Sequence, residues 1–573
     1  MSALAERLNG LRWRLRAMRR LWSKDAEPAD TFLEREPQVG MMLGEIDVPG
    51  PGAEIVGPLF IVRGWALFPA SPTATVEIRV NGQPAGNARL AYLRPDVAEI
   101  LDVPEAISSG FELAIERELV ELPQGPATLE VIPRCLSGQQ QVLGPIEVVI
   151  GDPRGEAPSP RDRDDDLPAP PIPTPMAAVN DGSRVLVVTH QLNLGGAQLY
   201  LLDLLRELMK TSGARFTVAS ALDGVLRRDL EAMGIPVHIF GALHDELSSH
   251  VGRLEELAAW AQARDFDIAF LNTATVFTIP GAELSELLGI PYVWSIHESF
   301  HPSVLWSVLS RPLRERAEGT IPGAHALLFE TEATRQLYES EAGQARCLTL
   351  PYGLDMEPIE ASRASFDMHR EREEADIPED AELVVCIGTI EPRKAQNTLA
   401  QAFDLIAARH PRAQLAFVGG REDPECEALE ELISRASHGD RMHLIPLTPD
   451  VHSWYRMADL LVCASDVESM PRTVLEAMAW ETPVLGTRVF GLPEVITEGE
   501  TGWLCEPRDL KALADGLDRA LSSTPEERRR IGKRSRSLVE DRHSLPKYAQ
   551  AVGDILQEAI EDKQRSTKEA RPG

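Results

Sequence analysis

Two glutamates in the stretch ESMPRTVLE have a spacing that could serve chemistry. Glu468 and Glu476 could act as an acid/base pair, hold two ends of one ligand, or lie on a solvated helix face. Pro471 helps to choose, because proline fits the first turn of a helix and is excluded from its interior. Glu468 is therefore expected on a loop, and Glu476 inside a helix, roughly 7.5 Å along its axis from the start. This separation favours two ends of one ligand.

The helix start between the two glutamates offers a site for the middle of that ligand. The N–H groups of a first helical turn have no partner within the helix, so they can bind an anion. A ligand that spans both carboxylates would be hydroxylated at its two ends and anionic between them. A nucleotide sugar, built from ribose, diphosphate and sugar, has this form.

Arg393 and Lys394 stand side by side at another expected helix start, after the apolar run ELVVCIG. The helix macrodipole favours anions at this end, so two cations are misplaced if they serve only the helix. A diphosphate between them and the helix would explain the mismatch. The alternative is a pair of solvated surface cations.

Two further candidates follow apolar runs that are typical of buried strands. Gly195 and Gly196 come after RVLVVTH and before a helix, where glycine lets the backbone approach an anion. Any tight strand–helix turn could also use them. His297 follows YVWSI, and ligands of open parallel sheets bind outside the carboxyl ends of the strands. There a histidine could donate a hydrogen bond or polarise a hydroxyl, and a structural histidine is the alternative.

The elements that would position these residues form two successive series of strands and helices. One contains RVLVVTH, DIAFLN, YVWSIHE and ALLFE, and the other contains ELVVCIGTI, AQLAFVGG, MHLIP, LLVCAS and PVLGT. This pattern predicts the α/β class with two doubly wound, Rossmann-like domains over 184–370 and 371–545. The charged run MHREREEADIPED, in the divide near 360–380, is expected to be a solvated connection. The C-terminal helix and tail, 546–573, are expected to pack back across that divide.

The chain before residue 184 has a different character. Residues 50–150 contain short runs of alternating hydrophobicity with an Asn-Gly turn signal, which predicts a small all-β sandwich. The high proline and charge content of residues 151–183 predicts an extended linker. Residues 1–24 predict a basic amphipathic helix that could lie on an anionic membrane surface. A short coiled-coil or docking helix is the alternative for this segment.

Composition restricts the partners and the compartment. The net charge of −31 makes nucleic acid an unfavourable partner, because the chain repels phosphate backbones. The six cysteines show neither CxxC pairs nor metal-ligand spacing, which favours a reducing cytoplasm. No apolar stretch reaches the roughly 20 residues of a membrane span, so the expected location is cytoplasmic, with peripheral attachment to the inner face of the plasma membrane through residues 1–24.

The motifs LNLGGAQ, SIHE, GTIEPRKAQ, SDVESMPRTVLEAMA and VFGLPEVI…GETGWL occur in this order over about residues 184 to 560. Together they resemble retaining glycosyltransferases of the GT-B fold, in the large glycosyltransferase family 4. The stretches VRGWAL, RPDVAE and SGFEL resemble β-sandwich modules attached to bacterial glycosyltransferases. The resemblance implies transfer of a sugar, of the hexosyl type, from a nucleotide-diphosphate sugar to a glycan or lipid-linked acceptor in polysaccharide or envelope synthesis.

The resemblance also implies roles for the matching residues. Glu476 would bind the ribose hydroxyls, and Glu468 with the backbone after it would hold the donor sugar. The implied catalytic residues are His297, Glu468, Arg393 and Lys394, with the last two on the diphosphate. The implied donor-binding residues are Gly195, Gly196, Arg393, Lys394, Leu447, Val451, Glu468, Ser469, Met470, Pro471 and Glu476, with the nucleotide base near Leu447 to Val451.

Three departures from the family pattern leave the donor's identity open. Ala395 stands where relatives carry Gly or Asn, Thr389 where Arg is frequent, and Ser-Met-Pro follows Glu468 in place of Gly-Phe-Gly. No DxD motif has a suitable place, and the basic pair can neutralise a diphosphate. Neither an obligatory metal nor another cofactor is therefore expected.

Three other function classes remain open. A glycosidase would also need two carboxylates, but flanking one bond, and the basic pair argues against it. A nucleotide-sugar epimerase of GT-B fold would act without an acceptor. A non-catalytic sugar-binding or scaffold protein would use the β domain and the basic helix.

Overall fold

The computed structural model describes residues 42–55, 59–68, 71–92, 94, 97, 109–116, 122, 124–151, 182–241, 247–307, 309–448 and 450–569. The helix predicted over 1–24 lies outside the described residues, as does nearly all of the linker predicted over 151–183. The described chain has an all-β region followed by two α/β domains. The predicted fold class is confirmed.

The all-β region, residues 43–150, forms two sheets. Their strand orders are β1-β3-β7-β6 and β2-β9-β8-β4-β5, and the pairs are antiparallel except β2 with β9. Alternate residues of β4 are buried, and inward side chains of both sheets share one apolar cluster. The strands are β1 Leu43–Val48, β2 Glu54–Ile55, β3 Leu59–Leu67, β4 Thr73–Val80, β5 Gln83–Asn87, β6 Arg89–Tyr92, β7 Gly110–Glu116, β8 Gly125–Cys135 and β9 Leu143–Ile150.

The first α/β domain has a seven-stranded parallel sheet in the order β12-β11-β10-β13-β14-β15-β16. Its central strands are continuous apolar runs because helices cover both faces of such a sheet. The elements are β10 Arg184–Thr189, α1 Gly196–Thr211, β11 Arg215–Ser220, α2 Arg227–Ala232, β12 Val237–Ile239, α3 Leu247–Gln262, β13 Ile268–Asn272, α4 Ile279–Leu288, β14 Tyr292–Ile296, α5 Pro302–Leu305, α6 Arg311–Thr320, a 3-10 turn Ile321–Gly323, β15 Ala326–Phe329, α7 Glu332–Gln336 and β16 Arg346–Thr349.

The second α/β domain has a six-stranded parallel sheet in the order β19-β18-β17-β20-β21-β22. Cys386 and Cys463, on adjacent strands, are buried. The elements are α8 Glu357–Ser365, α9 Met368–Glu374, β17 Glu382–Ile387, a 3-10 turn Pro392–Lys394, α10 Gln396–Ile406, β18 Ala413–Gly420, α11 Pro424–Arg435, a 3-10 turn Gly439–Arg441, β19 Met442–Pro446, α12 His452–Met457, β20 Leu460–Cys463, α13 Arg472–Ala479, β21 Val484–Thr487, α14 Leu492–Val495, β22 Trp503–Cys505, α15 Leu510–Ser522, α16 Pro525–Arg542 and α17 Leu545–Glu569.

In both parallel sheets the strand order reverses next to the first strand, β10 or β17. Strands on its two sides lead into loops that diverge above the sheet, and this leaves a crevice at the carboxyl ends. Helix α17 packs on α1, β13 and β14, so the end of the described chain lies on the first α/β domain. None of the described helices has both the length and the hydropathy needed to cross a bilayer.

The connection near 360–380 is largely solvated, as expected, because nine of the 13 residues of MHREREEADIPED are exposed. It contains helices α8 and α9, and the side chain of Arg372 is buried. The Arg372 guanidinium donates hydrogen bonds to the carbonyls of Pro378 (3.2 Å), Ala381 (3.0 Å) and Met457 (3.0 Å). A guanidinium has five donors, so one buried arginine can hydrogen-bond several carbonyls of a turn within an otherwise exposed run. Composition alone does not reveal this use of a charged residue.

Candidate functional site

The candidate residues converge where the carboxyl ends of the two parallel sheets face each other. Glu330 of the first domain accepts a hydrogen bond from the backbone N–H of Met470 in the second, at 3.3 Å. The hydroxyls of Thr334 and Ser469 also meet across the domains, at 3.1 Å. The loop 464–471 of the second domain therefore lies directly against the first domain.

Glu468 lies at the centre of the second domain's half of the site. Its buried carboxylate pairs with the ammonium of Lys394 and, at 3.3 Å, with the guanidinium of Arg393, and it accepts from the hydroxyl of Ser465 at 3.0 Å. Burial opposes its ionisation, but the two cations outweigh burial, so the pKa of Glu468 lies below its ordinary value. The structure thus brings together the three residues that were proposed to bind the sugar and the diphosphate.

Local geometry explains how the Arg393–Lys394 pair is presented. The two residues end a 3-10 turn, and Ala395 then adopts a left-handed conformation with φ of 53° before α10 begins. Glycine and asparagine enter this conformation more easily than alanine does. This conformation is a physical reason for the Gly or Asn that the resembled family pattern has at the position of Ala395.

Helix α13 places Glu476 as the position of Pro471 predicts. Pro471 is the N-cap residue, the helix spans Arg472–Ala479, and Glu476 is its fifth residue. One Glu476 oxygen accepts from Arg472 and the other from the hydroxyl of Tyr455, both at 2.7 Å. Arg472 also donates to Asp203 on α1, at 2.7 Å, so the same network links the two domains.

His297 lies at the end of β14, in the first domain's half of the site. Its Nδ1 pairs with Glu330, its Nε2 lies 2.9 Å from the side-chain oxygen of Asn272, and the ring of Tyr200 packs edge-on at 4.6 Å. Burial lowers the pKa of His297, but Glu330 outweighs burial and raises it above its ordinary value. Two acceptor oxygens around one ring suit the cationic imidazolium.

Two ionisable neighbours of His297 also have shifted pKa values. His190 lies 3.1 Å from the hydroxyl of Thr273, and burial together with the charge of His297 lowers its pKa to about 4. Glu298 is partly buried and accepts from the N–H of Ala274 at 2.7 Å. Burial raises the pKa of Glu298 above its ordinary value.

The remaining predicted residues are the two glycines, Gly195 and Gly196, and those of the expected base site. Gly195 is the N-cap of α1, and open space surrounds Gly196, so a side chain or ligand has room there. Leu447 follows β19 with 47% of its surface exposed, which leaves an apolar surface for a flat ring. Val451, the N-cap of α12, is partly buried against the core.

Sequence reasoning missed four residues that the structure brings into the site. Asn272, Glu330 and His190 contact the residues described above, and Gly491 approaches the loop so closely that a Cβ would lie 2.2 Å from the carbonyl oxygen of Ser469. A usable signal existed for the first three, because each lies at or directly after the carboxyl end of a predicted strand. Gly491 lies in the motif VFGLPEVI, but its contact with Ser469 spans 22 residues of sequence.

Two protein-family models match the chain over these domains. Residues 194–358 match the model described as Glycosyltransferase Family 4, and residues 367–538 match Glycosyl transferases group 1. The similarity is to glycosyltransferases. Both halves of the site lie within the matched ranges.

Curated relatives agree with the family models. An N-acetyl-alpha-D-glucosaminyl L-malate synthase of Bacillus anthracis is 31% identical over 34% of this chain and 50% of its own length. A D-inositol 3-phosphate glycosyltransferase of Arthrobacter is 29% identical over 44% of this chain and 62% of its own length. The chain therefore spans about half to three-fifths of these relatives.

Solved structures of glycosyltransferases support the GT-B fold. Anabaena Alr3699/HepE, in complex with UDP and glucose, aligns with a TM-score of 0.56 and 20% identity over 66% of this chain and all of its own. WaaG, a glycosyltransferase involved in lipopolysaccharide biosynthesis, aligns with a TM-score of 0.52 and 16% identity over 65% of this chain and 99% of its own.

Proposed function

We propose that this chain is a retaining, metal-independent glycosyltransferase that moves a sugar from a nucleoside-diphosphate sugar to an acceptor hydroxyl. The observation that carries the proposal is the convergence of Lys394 and Arg393 on buried Glu468, with the His297–Glu330 pair in the other half of the site. The two cations suit a diphosphate, and the carboxylate suits sugar hydroxyls.

In the proposed reaction, the bond between the anomeric carbon and the phosphate oxygen breaks and its electron pair stays on the phosphate. The acceptor oxygen bonds to the same face of the anomeric carbon, and its proton passes to the leaving phosphate oxygen. Negative charge grows on that phosphate, where Arg393, Lys394 and the N–H groups at helix starts are already in place to stabilise it. No protein nucleophile takes part.

The remaining roles follow from geometry. Glu476 keeps acceptor capacity for ribose hydroxyls, because a carboxylate has about four acceptor sites and Arg472 and Tyr455 use two. His297 would lie beside the donor sugar with its ring fixed by Glu330 and Asn272. The nucleotide base would lie near Leu447 and Val451.

The acceptor is proposed to be a glycan or lipid-linked molecule of bacterial polysaccharide or envelope synthesis. The basic composition of residues 1–24 and the likeness to WaaG support this assignment. It places the protein in the cytoplasm, attached peripherally to the inner face of the plasma membrane.

A ligand screen tests the donor site. UDP, GDP and ADP, with their glucose and N-acetylglucosamine conjugates, should be compared by thermal shift, since a ligand that binds the native state raises the melting temperature. At least one diphosphate should raise it in a concentration-dependent way without added metal. Nucleotide release that depends on an acceptor glycan supports the transferase, conversion of the donor without acceptor would indicate an epimerase, and binding without turnover would indicate a scaffold.

A further inference from the structure

The all-β region contacts the second α/β domain at the loop that carries Glu468. Arg89, the first residue of β6, forms an ion pair with Asp466. The Asp466 side chain is only 1% exposed, and Arg508 approaches the same carboxylate oxygen at 3.7 Å. Arg508 also donates to the carbonyl of Asn87 at 3.2 Å, so two arginines link Asp466 to the all-β region.

Asp466 belongs to the same short segment as the proposed donor-binding residues. It precedes Glu468 by two residues, and its backbone N–H donates to the carbonyl of Arg393 at 2.8 Å. A displacement of Asp466 would therefore move Glu468 along the chain and Arg393 through this hydrogen bond. The contact between Arg89 and Asp466 is therefore linked to the carboxylate of Glu468 and to the cation of Arg393.

Packing around the contact is open on one side. A cavity of about 210 Å³ separates β6 from the segment that leads into Arg393, and it is bordered by Leu90, Ile390, Pro392 and Ala395. The Arg89–Asp466 pair acts beside apolar contacts, because Leu90, Ile390 and Ala395 are buried in one cluster that joins the all-β region to the second α/β domain. A buried carboxylate that loses its cation shifts to regain solvent or another partner.

We propose that Arg89 is a positioning residue for the donor site, and that the all-β region completes this site by holding Asp466. This inference rests on the proposed function, because it concerns the binding of a nucleoside diphosphate. It gives the all-β region a role within the catalytic unit.

Calorimetric titration of the full chain with UDP, GDP and ADP tests the inference. The nucleotide with the lowest Kd is then titrated into R89Q, R89K, D466N and the double variant R89Q/D466N. R63Q is the matched control, since Arg63 pairs with Glu112 inside the all-β region. Melting temperatures of all variants are recorded without ligand.

R89Q should raise the Kd about tenfold, within the range by which residues outside a site alter binding at it. R89K should restore part of the affinity, R63Q should bind like the wild type, and R89Q should have no further effect in the D466N background. A loss of melting temperature with an unchanged Kd would overturn the inference, since that is the signature of a merely structural contact. An R89Q effect of full size in D466N would also overturn it. If the wild type binds none of the three nucleotides, the proposed function itself fails, and the inference with it.

Discussion

At the scale of single residues, the site is built on one buried carboxylate shared by two cations. Lys394 and Arg393 are held by Glu468, which fixes their position for the proposed diphosphate. Preorganised charge of this kind stabilises a leaving phosphate without reorganisation during the reaction. The same contacts make Lys394 the most direct test of the mechanism.

Lys394→Ala should lower kcat by about 10²–10³-fold, the loss seen when one preorganised donor to developing charge is removed. Steady-state rates of nucleotide release with donor and acceptor measure this effect. Lys511→Ala is the control, because Lys511 is an exposed residue of α15 that pairs with Asp515. Transfer by Lys394→Ala at the wild-type rate would contradict the phosphate-binding role.

The His297–Glu330 pair predicts a pH dependence of stability. The folded pKa of His297 is raised above its ordinary value of 6.5, so the native state binds more protons than the unfolded state above that pH. The contribution is fully present below pH 6.5 and is lost as pH rises through the folded pKa.

Glu330→Gln removes the carboxylate that raises this pKa, so the stability loss above pH 6.5 should shrink relative to the wild type. Urea unfolding of both proteins at several pH values between 6 and 9 measures their free energies of unfolding. Subtracting one profile from the other cancels the contributions of the other titrating groups. Parallel profiles for the two proteins would show that Glu330 does not set the charge of His297.

At the scale of elements, the sequence was sufficient for what depends on local pattern. The apolar runs predicted the parallel strands. Pro471 predicted the start of α13, because proline has strict backbone requirements. Contacts between elements were not accessible. His297 lies 25 residues after Asn272 and 33 residues before Glu330 in the sequence. Only the adjacency of β13, β14 and β15 brings the three together.

Arg372 gives an element-scale prediction about the connection between the α/β domains. Arg372→Met should destabilise the protein by about 3 kcal/mol, because the variant leaves the buried carbonyls of Ala381 and Met457 without this donor. Arg370→Met is the control, since Arg370 is largely exposed and surface changes usually stay within about 0.5 kcal/mol. Denaturant unfolding compares the two, and equal midpoints would show that the buried guanidinium is dispensable.

At the scale of the whole molecule, charge is distributed unevenly along the chain. The net charge is −31, yet residues 1–24 carry seven basic residues and one glutamate. An acidic protein is repelled by an anionic bilayer, so any attachment must come from a local basic segment. Each Lys or Arg near such a surface contributes about 1 kcal/mol, and the attraction is screened by salt.

Deleting residues 1–24 should therefore release the protein from anionic vesicles. The full chain should co-sediment at low salt with vesicles that contain phosphatidylglycerol. It should bind them less at about 0.5 M salt, because the Debye length shortens. It should not bind purely zwitterionic vesicles. The deletion should abolish vesicle binding while the Kd for nucleoside diphosphate stays unchanged, since the proposed donor site lies in the α/β domains and their contact with β6. If the full chain does not bind anionic vesicles, residues 1–24 are assigned to a partner helix instead. Their apolar residues also have the spacing of a heptad seam: Leu4, Leu8, Leu11, Leu15, Met18 and Trp22.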